Sequence, residues 1–418
     1  MKIKARDDCR ICGSTLSLVL SLGNQRLGNI FPSPNDNSLP SSPLELVRCD
    51  TQKNKNACGL IQLRHTVPGA LLYAEYWYRS GINQTMKDHL KNITMEAEKL
   101  VDLRTGDTVL DIGCNDGTLL SSYLTKDIRK IGIDPAKNVT IFAKKQGIEV
   151  MNDFFTSRAF YSVSKKRAKI ITSIAMFYDL EDPNEFVSDI KKVLHEEGLW
   201  IMEQSYLPSM LNQNSFDTIC HEHLEYYSLA PVEFLLKKHD LEVVDIDFNE
   251  INGGSFRLYI MHKGKREPSK RLVKARREES MLNLTKNEPY KIFKNNVEKI
   301  KTELRELIKS EHNYGKRIFI YGASTKGNTI LQYCNIDRKL IEAAADRNPQ
   351  KWGKVTPGTN IPIISEENAR AANPDYFLVL PWHFIQEFIK REAKYLKEGG
   401  KFIVPLPKVR IIDKNTLF

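Results

Sequence analysis

His221, Glu222 and His223 stand side by side in the stretch FDTICHEHLEYYS, with Glu225, Tyr226 and Tyr227 close behind. Two imidazoles flanking a carboxylate suit a metal site, an acid–base pair or a polar patch without chemistry. The zinc-protease arrangement is excluded, because His-Glu-x-x-His sets both imidazoles one helical turn apart on one face. Here Glu225, not histidine, stands three residues after Glu222. An acid–base reading remains, since imidazole titrates near neutrality and a carboxylate can orient it.

Metal chemistry has better candidates elsewhere. Seven cysteines occur, and four of them, Cys9, Cys12, Cys49 and Cys58, fall in the first 58 residues. Cys9-x-x-Cys12 makes a tight knuckle, and a second pair completes a tetrahedral four-thiolate zinc site. The second pair is separated by eight residues, which read as an insertion at the knuckle tip. Four thiolates leave no open position, so the expected zinc is structural. So short and apolar-poor a block needs such a staple to fold. The odd cysteine count argues against a disulfide framework.

A third constellation belongs to a nucleotide cofactor. DTVLDIGCNDGTLL reads as a strand from Thr108 to Ile112, a turn containing Gly113, Asn115 and Gly117, and a helix. The next strand ends in Asp134, 23 residues after Asp111. The three-glycine dinucleotide fingerprint is missing, and Asp111 stands where a pyrophosphate would be repelled. A sulfonium tolerates those acids, and Asp134 suits two ribose hydroxyls, which favours S-adenosylmethionine over NAD. In MNDFF, Asp153 is expected toward the adenine amino group and Phe154 toward its ring, with a helix N-cap as the plainer role for Asp153.

The elements that must position these groups read as three blocks in 418 residues, too many for one ordinary core. Residues 1–66 form the cysteine block; residues 67–262 alternate strand and helix in the rhythm of a doubly wound parallel sheet. Residues 263–311 form a helical connector, in which Phe293, Val297, Ile300, Leu304, Leu307 and Ile308 fall on one stripe. Residues 312–418 repeat strand, glycine turn and helix in RIFIYGASTKGNTILQYC. The expected fold is α/β: a zinc module, a Rossmann-like class I methyltransferase unit and a second Rossmann-like unit. YGASTKGNT lacks the ending of a P-loop, so nucleotide hydrolysis is disfavoured, while Lys326 near a helix N-terminus can meet an anionic substrate.

Net charge is +10, concentrated between Lys263 and Arg277, where eight basic residues meet the single acid Glu267. Such a run is usually a solvated helix face, and no RNA-binding or recognition-helix pattern accompanies it. No nucleic-acid partner is expected, and this run is at most a contact for an anionic diphosphate. No membrane-length apolar span and no secretory leader are read, so a cytoplasmic protein, monomeric or weakly self-associating, is expected.

Taken in order, CGLIQL, YWYRSGINQTM, VLDIGCNDG, EQSYLPSMLNQNSFDTICHEHLEYYS, NGGSFRLYI, YGASTKGNT, DRNPQKWGKVTPGTNIPI and LPWHF cover nearly the whole chain. In these motifs the chain resembles the bacterial nucleotide-sugar C-methyltransferases that act on 4-keto deoxysugars. The resemblance implies an N-terminal zinc module, a central cofactor unit and a C-terminal unit that helps hold the nucleotide-sugar. It implies that Glu222 and His223 meet the reacting sugar carbon, and that Tyr76 or Tyr78 lines the same cavity. Antibiotic-sugar members commonly carry tyrosine immediately before His-Glu-His, where this chain has Cys220. A hydroxyl role there is either absent or supplied by Tyr226 or Tyr227.

The expected chemistry is removal of the acidic proton beside a keto group by His223, with Glu222 orienting the base or binding a sugar hydroxyl. Tyr78 or Tyr76 would donate to the enolate oxygen, and a methyl would pass to carbon. His221 and His223 are read as alternating along a strand, with His221 either a substrate contact or, more readily, a core histidine. Arg257 in NGGSFR is a phosphate candidate after a glycine bulge or tight turn, Asn328 and Lys326 are substrate candidates, and His383, after LPW, is read as only a loop residue. The same scaffold methylating oxygen or another carbonyl-activated substrate is the alternative, and a non-catalytic binding module the third reading.

Overall fold

The computed structural model describes residues 3–34, 36, 38–73 and 77–416. Near the N-terminus, β1 (Leu16–Arg26), β2 (Ser41–Cys49) and β3 (Ile61–Leu63) form an antiparallel sheet. Its outer strand comes from far along the chain: β9 (Glu225–Tyr226) pairs with β3, Glu225 opposite Gln62 and Tyr226 opposite Ile61.

The central sheet contains β4 (Thr108–Ile112), β5 (Arg129–Ile133), β6 (Glu149–Met151), β7 (Ala168–Ile174), β8 (Leu194–Ser205), β10 (Leu241–Asn249) and β11 (Ser255–His262). Their order is β10-β11-β8-β7-β4-β5-β6, with β11 antiparallel to both neighbours. All five residues of β4 are buried, as a central parallel strand covered on both faces requires. Strand order reverses between β4 and β7, and an open sheet of this kind binds ligands outside the carboxyl ends at that point. Helix α1 (Gln84–Leu100) starts at Asn83, whose side chain accepts from the Thr85 amide at 2.9 Å, and buries Leu90, Ile93 and Ala97. Helices α2 (Pro183–Val193) and α3 (Leu229–Lys237) bury their apolar residues in the same unit.

The basic run lies on and before α4 (Lys270–Met281). There Arg271 pairs with Asp245 and Asp247, Lys274 with Glu278 and Arg276 with Glu233. Helix α5 (Glu288–Asn313) buries Phe293, Val297, Ile300, Leu304 and Ile308 of the stripe read from the sequence, with Leu307 half-buried at its edge. A second sheet follows, with β12 (Ile318–Tyr321), α6 (Thr325–Tyr333), β13 (Ala343–Asp346), β14 (Ile363–Ser365), β15 (Tyr376–Val379), β16 (Lys401–Val404) and β17 (Arg410–Ile412). The order is β14-β13-β12-β15-β16-β17, parallel except for β17.

One local expectation changes. His221–His223 does not lie on a strand: it forms a turn, and extended pairing begins only at Glu225. The glycine pair is a tight turn as read, the hairpin between β10 and β11, with left-handed Asn252 (φ 56°) followed by Gly253 (φ 86°) and Gly254 (φ 112°). Apart from a small cluster of Leu27, Val67 and Leu72, the described apolar residues of the cysteine block pack with the other units. Leu20, Leu46 and Leu63 pack in one cluster with Phe319 and Ile330, whereas Cys9, Ile11 and Cys58 pack with Phe177 and Tyr227.

Candidate active site

The four expected thiols converge: the sulfurs of Cys9, Cys12, Cys49 and Cys58 all lie within 4.8 Å of one another. The Cys9–Cys58 and Cys12–Cys49 sulfurs are each 3.4 Å apart. A zinc ion with sulfur ligands at ~2.3 Å would set them ~3.8 Å apart, so the donor set fits that ion. Arg10, inside the knuckle, is buried and reaches β9: its Nε lies 3.4 Å from Glu225, with both side chains sealed from solvent. The same guanidinium donates to Gln62 Oε1 at 2.9 Å and to the Leu63 carbonyl at 2.7 Å.

The turn after β4 builds a second site at the strand-order switch. The Gly113 amide donates to the Ile133 carbonyl at 2.8 Å, and Gly117 adopts φ 79°. A Cβ on Gly117 would lie 2.5 Å from Ile148 Cδ1 and 2.8 Å from Ala143 Cβ, so only glycine brings this turn against its neighbours. Asp134 accepts from the Asn115 and Ala136 amides at 2.9 and 2.8 Å, one on each oxygen, leaving further lone pairs at the cleft. Asp111 accepts from the Thr172 hydroxyl at 2.6 Å, and burial pushes its carboxyl up to about 7 against that bond. Three acids, Asp111, Asp116 and Asp134, therefore surround the turn, which suits a sulfonium nucleoside and opposes a pyrophosphate. Asp153 and Phe154 follow β6 at the same edge, both exposed. Thr156, not Asp153, caps the next helix, so the plainer role considered for Asp153 falls away.

The segment Tyr78–Gly81 is strapped onto this turn. Asn115 donates to the Tyr78 carbonyl at 3.0 Å and accepts from the Ser80 amide at 3.1 Å. The Gly81 amide donates to Asp116 at 2.9 Å, and the Arg79 guanidinium lies 3.5 Å from the Phe142 ring centroid.

Glu222 and His223 occupy the turn before β9, where three parts of the molecule meet. Nδ1 of His223 is 2.9 Å from the Thr218 carbonyl, which assigns the proton to Nδ1 and leaves Nε2 as an acceptor. Burial and the Lys326 ammonium push this imidazole down to about 3, so it is neutral at working pH. Burial pushes the Glu222 carboxyl up to about 7, opposed by the same ammonium. The Tyr178 ring lies 4.4 Å from the His223 ring, and the Leu224 amide donates to the Tyr178 carbonyl at 2.7 Å. Tyr73 donates to the Glu222 carbonyl at 3.0 Å and also bonds the carboxyl of Asp179. Burial raises Asp179 well above the carboxylate range, with Glu222 and Glu225 adding to the effect. From the C-terminal unit come Lys326 at the start of α6 and His383, which burial and Lys326 push down to about 3. Trp382 donates to the buried Asp217 at 3.0 Å.

Several expected residues stand elsewhere. His221 is buried with Nε2 3.0 Å from the Ser42 carbonyl, so it is the core histidine and not a substrate contact. Asn328 is buried and donates to the Gly28 carbonyl at 2.7 Å, joining α6 to the N-terminal block. Arg257 is committed to Glu203 at 2.7 Å and to Asn92 at 3.0 Å, and Glu203 also bonds His89; this buried network leaves no guanidinium for a phosphate. Tyr78 is half-exposed on the glycine-turn strap, its phenol pushed up to about 12 by partial burial and Asp116. Tyr76 lies outside the described residues. Tyr73, Tyr178, Asp179 and His383 join the site without having been singled out for it. No periodic pattern marks them, and only the fold brings them beside His223.

The three-part architecture has counterparts. Residues 9–73 match a model of zinc-binding domains, 82–246 a methyltransferase domain, and 250–407 the C-methyltransferase C-terminal domain. Over 420 aligned residues the chain is 30% identical to the C-methyltransferase NovU of Streptomyces niveus, covering 99% of each chain. The chain belongs to the C-methyltransferase family. Among solved structures, the plantazolicin methyltransferase BpumL with S-adenosylhomocysteine is 16% identical, with 42% of this chain and 83% of that chain covered and a TM-score of 0.35. A methyltransferase from Clostridium acetobutylicum is 14% identical, with coverages of 43% and 91% and a TM-score of 0.33.

In this C-methyltransferase, S-adenosylmethionine supplies an electrophilic methyl group, and the four-cysteine cluster is its structural zinc site. Among the described residues, no helix is long and apolar enough to cross a membrane.

Proposed function

We propose that this C-methyltransferase acts on a nucleotide-linked 4-keto sugar, methylating carbon 3 through an enolate, in the synthesis of a branched deoxysugar. The observation that carries the reading is the neutral His223, whose Nδ1 proton is fixed on the Thr218 carbonyl and whose Nε2 is left to accept a proton. A 4-keto group acidifies the neighbouring C3–H, which gives such a base a task that oxygen methylation would not require. Glu222, the preceding residue, is assigned to bind a sugar hydroxyl or to stabilise the imidazolium. Asp134, Asp153 and Phe154 are assigned to the nucleoside of the methyl donor, with Gly113, Asn115 and Gly117 shaping its cleft and Asp111 behind it. The seven-stranded unit thus holds the donor, and the six-stranded unit closes the sugar site.

The deciding experiment incubates the enzyme with methyl-labelled S-adenosylmethionine and dTDP-, GDP- and CDP-linked 4-keto sugars. Label on carbon 3 of one of them is expected. Label on oxygen, or no turnover with any of the three, would overturn the proposal.

A further inference from the structure

We infer that Lys326 is a catalytic residue whose ammonium holds the keto oxygen of the substrate as negative charge develops on it; this inference rests on the keto-sugar reading above. The position follows from helix geometry. Thr329 of α6 donates to the Ile219 carbonyl at 3.3 Å, which sets this face of the helix against the chain leading into Glu222 and His223. Lys326 stands three residues earlier, on the same face and one turn closer to the helix start. One further contact holds the helix there, with Phe216 and Tyr333 ring centroids 5.5 Å apart, and Trp382, from the turn after β15, bonds Asp217 in the same segment. Accordingly, the Lys326 charge acts on Asp217, Cys220, Glu222, His223 and His383 together.

The reaction needs this charge. Of the two tyrosines expected to donate to the enolate oxygen, Tyr78 is strapped to the glycine turn through its backbone carbonyl and Tyr76 lies outside the described residues, while Tyr226 donates to the Thr218 carbonyl at 3.2 Å. Tyr73 is engaged with the Glu222 carbonyl. His223 is a weak base in this setting, so the oxyanion must be stabilised strongly for proton transfer to proceed. In the step, the C3–H bond breaks and its proton goes to Nε2 of His223. The electron pair forms the C3–C4 double bond, and the carbonyl π pair moves onto the oxygen, which accepts a hydrogen bond from Lys326. Carbon 3 then takes the methyl group, the carbonyl re-forms, the sulfur keeps the electron pair of the broken bond, and His223 returns its proton to solvent. Asp217 and Glu222 offset the ammonium until substrate enters.

Deuterium wash-in at C3 separates this role from simple binding. The 4-keto sugar nucleotide that the wild type methylates is incubated in D2O with S-adenosylhomocysteine in place of the donor. Lys326→Met should lower the maximal wash-in rate roughly 100-fold, the scale of losing one oxyanion donor, with KM changed only a few-fold. Lys326→Arg should recover part of the rate, and calorimetric binding of S-adenosylhomocysteine should be unchanged in both variants. An unchanged maximal rate with a raised KM would make Lys326 a diphosphate contact and overturn the inference, as would an unaffected Lys326→Met. Wild-type enzyme that exchanges no C3 proton in any of the three nucleotide series would instead remove the keto-sugar reading, and this inference with it.

Discussion

The role proposed for His223 rests on a single carbonyl. The Thr218 oxygen takes the Nδ1 proton and so decides which nitrogen is basic. His221, two residues away, has its ring spent on the Ser42 carbonyl. His223→Ala should reduce methyl transfer by ~10²- to 10⁴-fold, the usual contribution of a positioned general base, while calorimetric binding of S-adenosylhomocysteine survives. Unchanged turnover would remove His223 as the base. Glu222 sets the pH dependence. Its carboxyl is pushed up to about 7, so it is largely protonated below that value and ionised above it. An ionised Glu222 stabilises the imidazolium formed in the reaction, so kcat/KM should rise with pH through a midpoint near 7. Glu222→Gln should flatten that limb, and a persisting limb in this variant would assign it to another group. The Glu222–His223 pair was legible because its members are neighbours in the chain. Tyr73 was not, since it meets Glu222 across 149 residues.

At the scale of elements, legibility follows periodicity. The stripe on α5 is long and regular, and the helix buries it as read. Strand β9 has only two residues, too few for any period, yet it carries the active-site turn onto the sheet of the zinc module. Arg10 holds that junction from inside the zinc knuckle, facing Glu225 in a sealed ion pair. Breaking one side of a buried pair leaves an uncompensated charge and costs about 3–5 kcal/mol. Arg10→Met should therefore lower unfolding stability by that order in denaturant titrations, and Glu225→Gln added to it should restore part of the loss. Because β9 begins two residues after His223, the single variant should also lower turnover. A loss of stability with fully retained turnover would mean that the turn is held without the knuckle.

For the whole molecule, the sequence reading found the succession of blocks but not their interlocking. Segment 28–32 of the first block sits against the last unit: Asn328 reaches the Gly28 carbonyl, the Val355 amide donates to the Pro32 carbonyl at 2.9 Å, and Lys351 lies 4.6 Å from the Phe31 ring centroid. These are contacts of single residues 300 or more positions apart, and no local pattern announces them. They have a mechanical consequence. The zinc site tethers β1–β3, those strands share one apolar cluster with β12 and α6, and α6 carries Lys326. Metal release should thus loosen the six-stranded unit as well as the cysteine block, because losing zinc removes folding free energy from the strands that cover it. Hydrogen exchange on the intact chain before and after chelation should show protection falling at Cys9–Leu63 and, to a smaller extent, along α6. Methyl transfer should decline in parallel, with S-adenosylhomocysteine binding less affected, since Cys114 and Leu119 of the glycine turn and its helix pack in a different apolar cluster from Cys9, Cys49 and Cys58. Unchanged protection at α6 after complete metal loss would show that the C-terminal unit holds the sugar site independently of the zinc module.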